Sequence, residues 1–252
     1  MYRIRIAPEA QPGEIIALAT SEAHYVAHVL RMRPGEEVEA FDGVQHTYRL
    51  RLTAVSSGAV EGAVVSRSPV PVAAEVPLTL GQAVPKGAKM ELIVEKCSEL
   101  GLTTLVPLYT ERTVVRARPE RLADRLARWR RIAEAAARQC GRPALLDVQA
   151  PMSLADFCAH YQTVVGKIVC WEQEPRCGLR QALNRLDGKA PIVVLIGPEG
   201  GWTPAEIALA RARGFVPVHL GPRILRTETA AIAVTGIVRY HLGDLAPQEA
   251  VG

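Results

Sequence analysis

Apolar and polar residues alternate with a period of two through Arg3 to Ile6, Glu14 to Leu18, Glu36 to Phe41, Tyr48 to Val55 and Val60 to Arg67. That is the pattern of strands with one buried face. Turn residues such as Pro34-Gly35, Asp42-Gly43 and Ser57-Gly58 separate them, and several short strands at this spacing predict a small β-barrel. One helical piece, Ser21 to Met32, interrupts them; Ser21 can cap it, and Tyr25, Val29 and either His28 or Met32 share a side. The proline-rich run from Ser68 to Pro77 then reads as a linker dividing the chain into domains 1–72 and 73–252.

Beyond residue 73 the period changes. Short apolar runs at Leu78 to Val84, Thr104 to Leu108, Leu145 to Gln149, Lys167 to Trp171, Ile192 to Ile196 and Val216 to Leu220 alternate with helical patterns near 88–100, 119–140, 153–161, 178–186, 204–213 and 226–242. This alternation predicts an α/β domain with a mostly parallel sheet, because parallel strands need crossover connections. Ligands of such sheets bind at the carboxyl ends of the strands.

Charge adds a possible partner to this picture. The chain of 252 residues carries only +4, yet ten arginines fall between Arg112 and Arg142 against Glu120, Asp124 and Glu134. That segment is +7 and leaves about −3 for the rest. In the helix starting at Pro119, Leu122, Leu126, Trp129, Ile132 or Ala133, and Ala136 form the apolar stripe, which puts Arg121, Arg125, Arg128, Arg130 and Arg138 outside it. Such a face suits a phosphate-rich partner as well as plain solvation. Five cysteines with no CxxC pair argue against a disulfide framework or a metal site. The alternating start and the lack of a long uncharged apolar window predict a cytoplasmic protein with no membrane span.

Two stretches concentrate the chemistry, Ile196-Gly197-Pro198-Glu199-Gly200-Gly201-Trp202-Thr203 and the run Leu220 to Ala230. Each follows an apolar strand and opens a helix, so both face one ligand in this reading. Thr203-Pro204-Ala205-Glu206 is a capping box with proline at the first helical position, which gives Glu206 a structural task. The glycines let backbone approach a ligand, but neither a P-loop lysine nor GxGxxG accompanies them. Arg223, Arg226 and Glu228 fall at the mouth of the last helix, where they either pair together or meet a ligand.

Six ordered segments carry a resemblance: His24 to Arg31, Lys89-Met90-Glu91, Lys96 to Gly101, Gln139-Cys140-Gly141-Arg142, Gly197 to Gly201 and Leu220 to Ala230. Together they resemble the bacterial 16S ribosomal RNA uracil-N3 methyltransferases of the SPOUT class, over nearly the whole chain. The resemblance implies a PUA-like N-terminal barrel and a C-terminal domain threaded as a trefoil knot. It further implies S-adenosyl-L-methionine bound in that knot, a homodimer that completes the site, and 16S ribosomal RNA or the small subunit as partner. Periodicity alone does not indicate a knot, since threaded chains are nearly absent among folds.

Carried over, the resemblance lines the donor pocket with Leu195, Ile196, Gly197, Gly200, Leu220, Gly221, Ile224, Leu225 and Thr229. An apolar, glycine-rich lining suits a sulfonium cation that an arginine would repel. Methylation of uracil N3 requires loss of its proton, for which Glu199 and Glu228 are the base candidates, with Arg226 stabilising charge on the flanking carbonyls. Arg3, Arg31, Arg33, Arg112, Arg116 and Arg142 are the candidate RNA contacts, and His24 and His28 are read as packing or capping residues. Two alternatives stay open: a SPOUT enzyme acting on another nucleotide or RNA, and a non-catalytic ribosome-assembly factor that binds RNA.

Overall fold

A computed structural model describes residues 3–7, 9–44, 46–69, 76–113 and 119–245. The chain divides into two compact units, residues 1–74 with 135–145, and residues 75–134 with 146–252. Among the described residues no helix is long and apolar enough to cross a membrane.

In the first unit, β1 (Arg3–Arg5), β2 (Ile15–Ala17), β3 (Glu37–Phe41), β4 (His46–Val55) and β5 (Val60–Pro69) pair in the order β1-β3-β4-β5-β2. The β1–β3 pair is parallel and the others are antiparallel. Alternation does here what it predicts: Ile4, Val38, Leu50, Leu52, Val60 and Val64 fall on one face and form the core with Val26. Pro69, assigned above to the linker, is instead the last residue of β5, where a missing N–H is tolerated. Residues 70–75 of the expected linker lie outside the described residues.

The helical piece differs from its expectation. Helix α1 (Thr20–His24) begins at Ala19 with no side-chain cap, so Ser21 lies inside it. It then widens into a π-turn, Tyr25–Val29, in which the Leu30 N–H reaches the Tyr25 carbonyl at 2.9 Å. The chain leaves through Arg31 at φ +53°, a left-handed conformation uncommon for arginine. Buried Glu22 accepts from the Arg5 N–H at 3.1 Å and from the Arg138 guanidinium, which also lies over the Tyr25 ring. Arg138 is therefore turned inward, against the expectation that placed it on the outer face, because a buried carboxylate requires a cation.

The second unit is built on β6 (Leu78–Ala83), β7 (Thr104–Tyr109), β8 (Asp147–Val148), β9 (Met152–Ser153), β10 (Gly166–Cys170), β11 (Ile192–Ile196) and β12 (Val216–Val218). All pairings are parallel, in the order β12-β10-β11-β6-β7-β8, with β9 also on β7. Every residue of β6, β10 and β11 is buried, as expected of a parallel sheet covered on both faces. Helices α2 (Lys89–Glu99), α3 (Pro119–Cys140), α5 (Leu179–Leu183) and α7 (Thr227–His241) contribute Met90, Ile93, Trp129, Leu183, Val234 and Val238 to the core on one face. Helices α4 (Leu154–His160) and α6 (Pro204–Ala212) contribute Phe157, Ile207 and Ala210 on the other. In α3, Trp129, Ala133 and Ala136 are buried as the stripe predicts, while Arg125 is half-buried with its guanidinium 5.2 Å from the Trp129 ring centre.

Helix α7 is pinned at its far end by Arg239, which is fully buried and donates to the Val76 carbonyl at 2.9 Å, the Gly101 carbonyl at 2.6 Å and Asp244 at 2.6 Å. Removing it would leave a void where the guanidinium sits and forfeit all three bonds. We expect Arg239→Ala to destabilise the protein by about 3–5 kcal/mol, measured by equilibrium denaturation; a loss below about 1 kcal/mol would contradict the assigned role.

Candidate active site

Strands β12, β10 and β11 lie side by side, and their carboxyl ends open into a cavity of about 510 Å³. The order of the strands makes this a switch point: β11 is inserted between β10 and β6, and the chain continues from β6 to β7 in the opposite direction. Three loops reach the cavity, one after each of these strands.

The loop after β11 forms the first wall. Its turn is closed by the Gly201 N–H to the Pro198 carbonyl at 2.9 Å, with Gly201 at φ +68°. Gly197 has little room to spare, since a Cβ there would come within 3.1 Å of the Trp202 indole nitrogen. That indole is buried and donates to the Cys170 carbonyl at 2.9 Å, tying the loop to the end of β10. The loop ends in the expected capping box, with Thr203 and Glu206 exchanging both bonds. Glu206 is buried and also accepts from the Glu111 N–H at 2.8 Å, so its task is structural.

The loop after β12 forms the second wall. The His219 N–H donates to the Cys177 carbonyl at 2.9 Å and its Nδ1 accepts from the Gly221 N–H at 3.1 Å, with Gly221 at φ +105°. Helix α7 then begins at Arg226 without a side-chain cap. Its first residue does other work: the Thr227 hydroxyl donates to the Gly197 carbonyl at 2.7 Å, binding the second wall to the first. The same hydroxyl accepts from the amide of fully buried Gln82 in β6 at 2.9 Å.

Charge is sorted around these walls. The Lys89 ammonium, at the start of α2, lies 2.9 Å from Glu199 and 3.6 Å from Glu228, and the Lys86 N–H adds a bond to Glu199 at 3.0 Å. Desolvation pushes the Glu199 carboxyl up, but the hydrogen bonds from Lys89 and the backbone outweigh it and hold the group below its ordinary value. Chiefly through its hydrogen bond to Glu199, the Lys89 ammonium is held above its ordinary value. Glu228 thus finds its cation in Lys89 rather than in Arg223 or Arg226. Burial pushes the Cys170 thiol at the cavity wall up to about 12, so it is no thiolate nucleophile at neutral pH.

Of the residues expected around the donor, Ile196, Gly197, Gly200, Leu220, Gly221, Ile224 and Leu225 line the cavity. Leu195 belongs to the core on the other face of the sheet, because neighbouring strand residues point to opposite sides. Thr229 is exposed on α7 outside the cavity lining, two helix positions from Thr227. Glu199 and Arg226 line the cavity, and Glu228 stands behind them against Lys89. Among the expected RNA contacts, Arg31 and Arg33 are exposed, Arg112 donates to the Gly200 carbonyl at 2.6 Å, and Arg142 is half-buried just past the end of α3. Arg3 is held by Glu39 at 2.8 Å and by the Gly141 carbonyl, and Arg116 lies outside the described residues.

Sequence reasoning missed Gln82, the contact made by Thr227, and the loop after β10, where Trp171 and Glu172 line the cavity. Two signals were available: a glutamine within a short, mainly apolar strand, and the same carboxyl-end rule that singled out the other two loops. Among the described residues, no group of three or more His, Cys, Asp or Glu is placed to hold a metal ion.

Known proteins share this chain's sequence pattern and fold. Residues 73–239 match the family model of an RNA methyltransferase domain, and residues 18–65 that of an RNA methyltransferase PUA domain. The chain is 38% identical to the ribosomal RNA small subunit methyltransferase E of Synechocystis over 234 residues, covering 91% of this chain and 74% of that one. The protein of the same name from Neisseria gonorrhoeae, solved bound to S-adenosyl methionine, superposes with a TM-score of 0.84 at 29% identity, covering 95% and 97% of the two chains. A Legionella pneumophila structure with bound SAM gives a TM-score of 0.87 at 32% identity over 95% and 97%. The family match over residues 73–239, about two thirds of the chain, places this protein in the RNA methyltransferase family.

Proposed function

We propose that the protein uses S-adenosyl-L-methionine to methylate N3 of a uridine in the 16S RNA of the small ribosomal subunit. The observation that carries this reading is the joined pair of walls, 197–201 and 219–225, linked through Thr227 and Gly197 around one cavity. Relatives of the same architecture are named as small-subunit ribosomal RNA methyltransferases, and one is bound to this donor. The donor supplies a methyl group activated on a sulfonium sulfur. The residues present fit it: side-chain-free Gly197, Gly200 and Gly221 leave backbone exposed to a nucleoside, and Ile196, Leu220, Ile224 and Leu225 give apolar surface.

The chain's own residues then have the following tasks. Glu199 or Glu228 takes the N3 proton; Lys89 lowers the pKa of Glu199, at the expense of its basicity. Arg226, exposed on the rim, meets the charge that develops on the uracil carbonyls. Arg31, Arg33, Arg112, Arg116 and Arg142 contact RNA phosphates, whereas the internal partners of Arg3 support a structural task for it.

Several finer features belong to the same reading. The N-terminal strands close as a PUA-like barrel, the domains divide near residue 73, the C-terminal segment threads as a trefoil knot, and the enzyme works in the cytoplasm. Two copies form a homodimer that completes the site. In support of the dimer, an apolar hollow of about 1040 Å³ shares His219, Leu220 and Gly221 with the donor cavity and exposes 46% of Ile237 and 72% of Tyr240.

Two outcomes test these assignments. In Lys89→Met the desolvation of Glu199 is opposed by backbone bonds alone, so its NMR titration midpoint should move up. Because the folded-state pKa is depressed, this group stabilises the wild type above its ordinary pKa of 4.5, and the contribution is lost as pH falls through the folded value. An unmoved midpoint would remove Lys89 from the role. For the activity, mass spectrometry of small-subunit RNA from a deletion strain should show loss of one N3-methyluridine, restored by this chain and not by Arg226→Ala. Unchanged RNA in the deletion strain would refute the proposed substrate, and full restoration by the variant would remove Arg226 from the chemistry.

A further inference from the structure

The turn after β10 is fixed at both ends. The Trp171 N–H donates to the Val218 carbonyl at 2.9 Å, and the Arg211 guanidinium lies 5.7 Å from the Trp171 ring centre. Glu174 accepts from the backbone of Arg176 and Cys177 at 3.0 and 3.3 Å and from Arg211 at 3.2 Å. Both residues are thus used by the fold. Glu172, between them, is not: it lines the cavity and has no hydrogen-bond or ion-pair partner among the described residues.

Its carboxylate rests against the first wall. A Cβ on Gly201 would come within 2.8 Å of the Glu172 Oε1, and Gly201 already holds a φ of +68°. Glycine at 201 therefore permits both the turn and the seating of the carboxylate. The other acid of the lining, Glu199, is occupied by Lys89 and the Lys86 N–H, and Arg223 and Arg226 are donors without acceptor capacity. Glu172 is consequently the carboxylate of the lining that has no partner among the described residues.

We propose that Glu172 is a donor-binding residue, whose carboxylate accepts hydrogen bonds from the O–H or N–H groups of S-adenosyl-L-methionine. The inference rests on the reading of the cavity as the donor site. Glu172 is exposed, so its distant attraction for the sulfonium is screened by solvent, and a direct charge-assisted hydrogen bond is the larger effect. Those O–H and N–H groups are retained in the demethylated product, S-adenosylhomocysteine. Donor and product should therefore depend on Glu172 alike.

Titration calorimetry with the full-length protein tests this, using S-adenosyl-L-methionine and S-adenosylhomocysteine as probes against wild type, Glu172→Gln and Glu172→Ala. In Glu172→Ala both ligands should bind roughly tenfold or more weakly, with Glu172→Gln intermediate and with thermal stability and RNA affinity unchanged. Donor affinity within about twofold of wild type would overturn the proposal. Weakened donor binding with product binding untouched would also overturn it, in favour of attraction to the sulfonium charge. Wild-type protein that binds neither ligand would refute the donor site itself, a failure distinct from that of Glu172.

Discussion

The Thr227 hydroxyl, donating to the Gly197 carbonyl and accepting from the buried Gln82 amide, connects β6, the end of β11 and the start of α7, which the chain reaches at widely separated points. Its net worth is roughly 1 kcal/mol while made, and more is lost if a buried partner is left without it. The geometric effect is larger than that figure suggests. It sets how far the glycine turn after β11 stands from the start of α7, and with that the width of the cavity. Gln82, fully buried in β6, also donates to the Ala83 carbonyl at 2.7 Å, so the hydroxyl meets a donor that is itself held in place.

Around this tie the site separates backbone from charge. Glycines and apolar side chains face the cavity, whereas Lys89 draws Glu199 and Glu228 to one side and Arg223 and Arg226 stay exposed at the rim. A cationic methyl donor fits the first environment and RNA phosphates fit the second. Sharing one ammonium lets two carboxylates stand close together without both relying on solvent to offset their repulsion.

Most of the sheet was legible because a parallel strand buried on both faces reads as an unbroken apolar run; Ile192–Ile196 has the same limits in sequence and structure. The capping box at Thr203 was legible for a similar reason, since both partners lie within three residues. What escaped was set by contacts across the chain. Arg138 turns inward to Glu22, 116 positions away, and Gln82 meets Thr227 across 145. Local periodicity carries no record of such pairings. The π-turn after His24 escaped too, because a widened turn keeps an ordinary helical composition. In the site, glycine content led to two loops and missed the third, whose cavity residues are Trp171 and Glu172.

The central claim is that the loops after β11 and β12 are two walls of one donor pocket. Amide hydrogen exchange of the full-length protein, with and without S-adenosyl-L-methionine, tests it most directly. The account predicts that amides in 197–201 and 219–225 become protected together at the same donor concentration. Protection of one loop without the other, or of neither while the donor binds elsewhere, would contradict it.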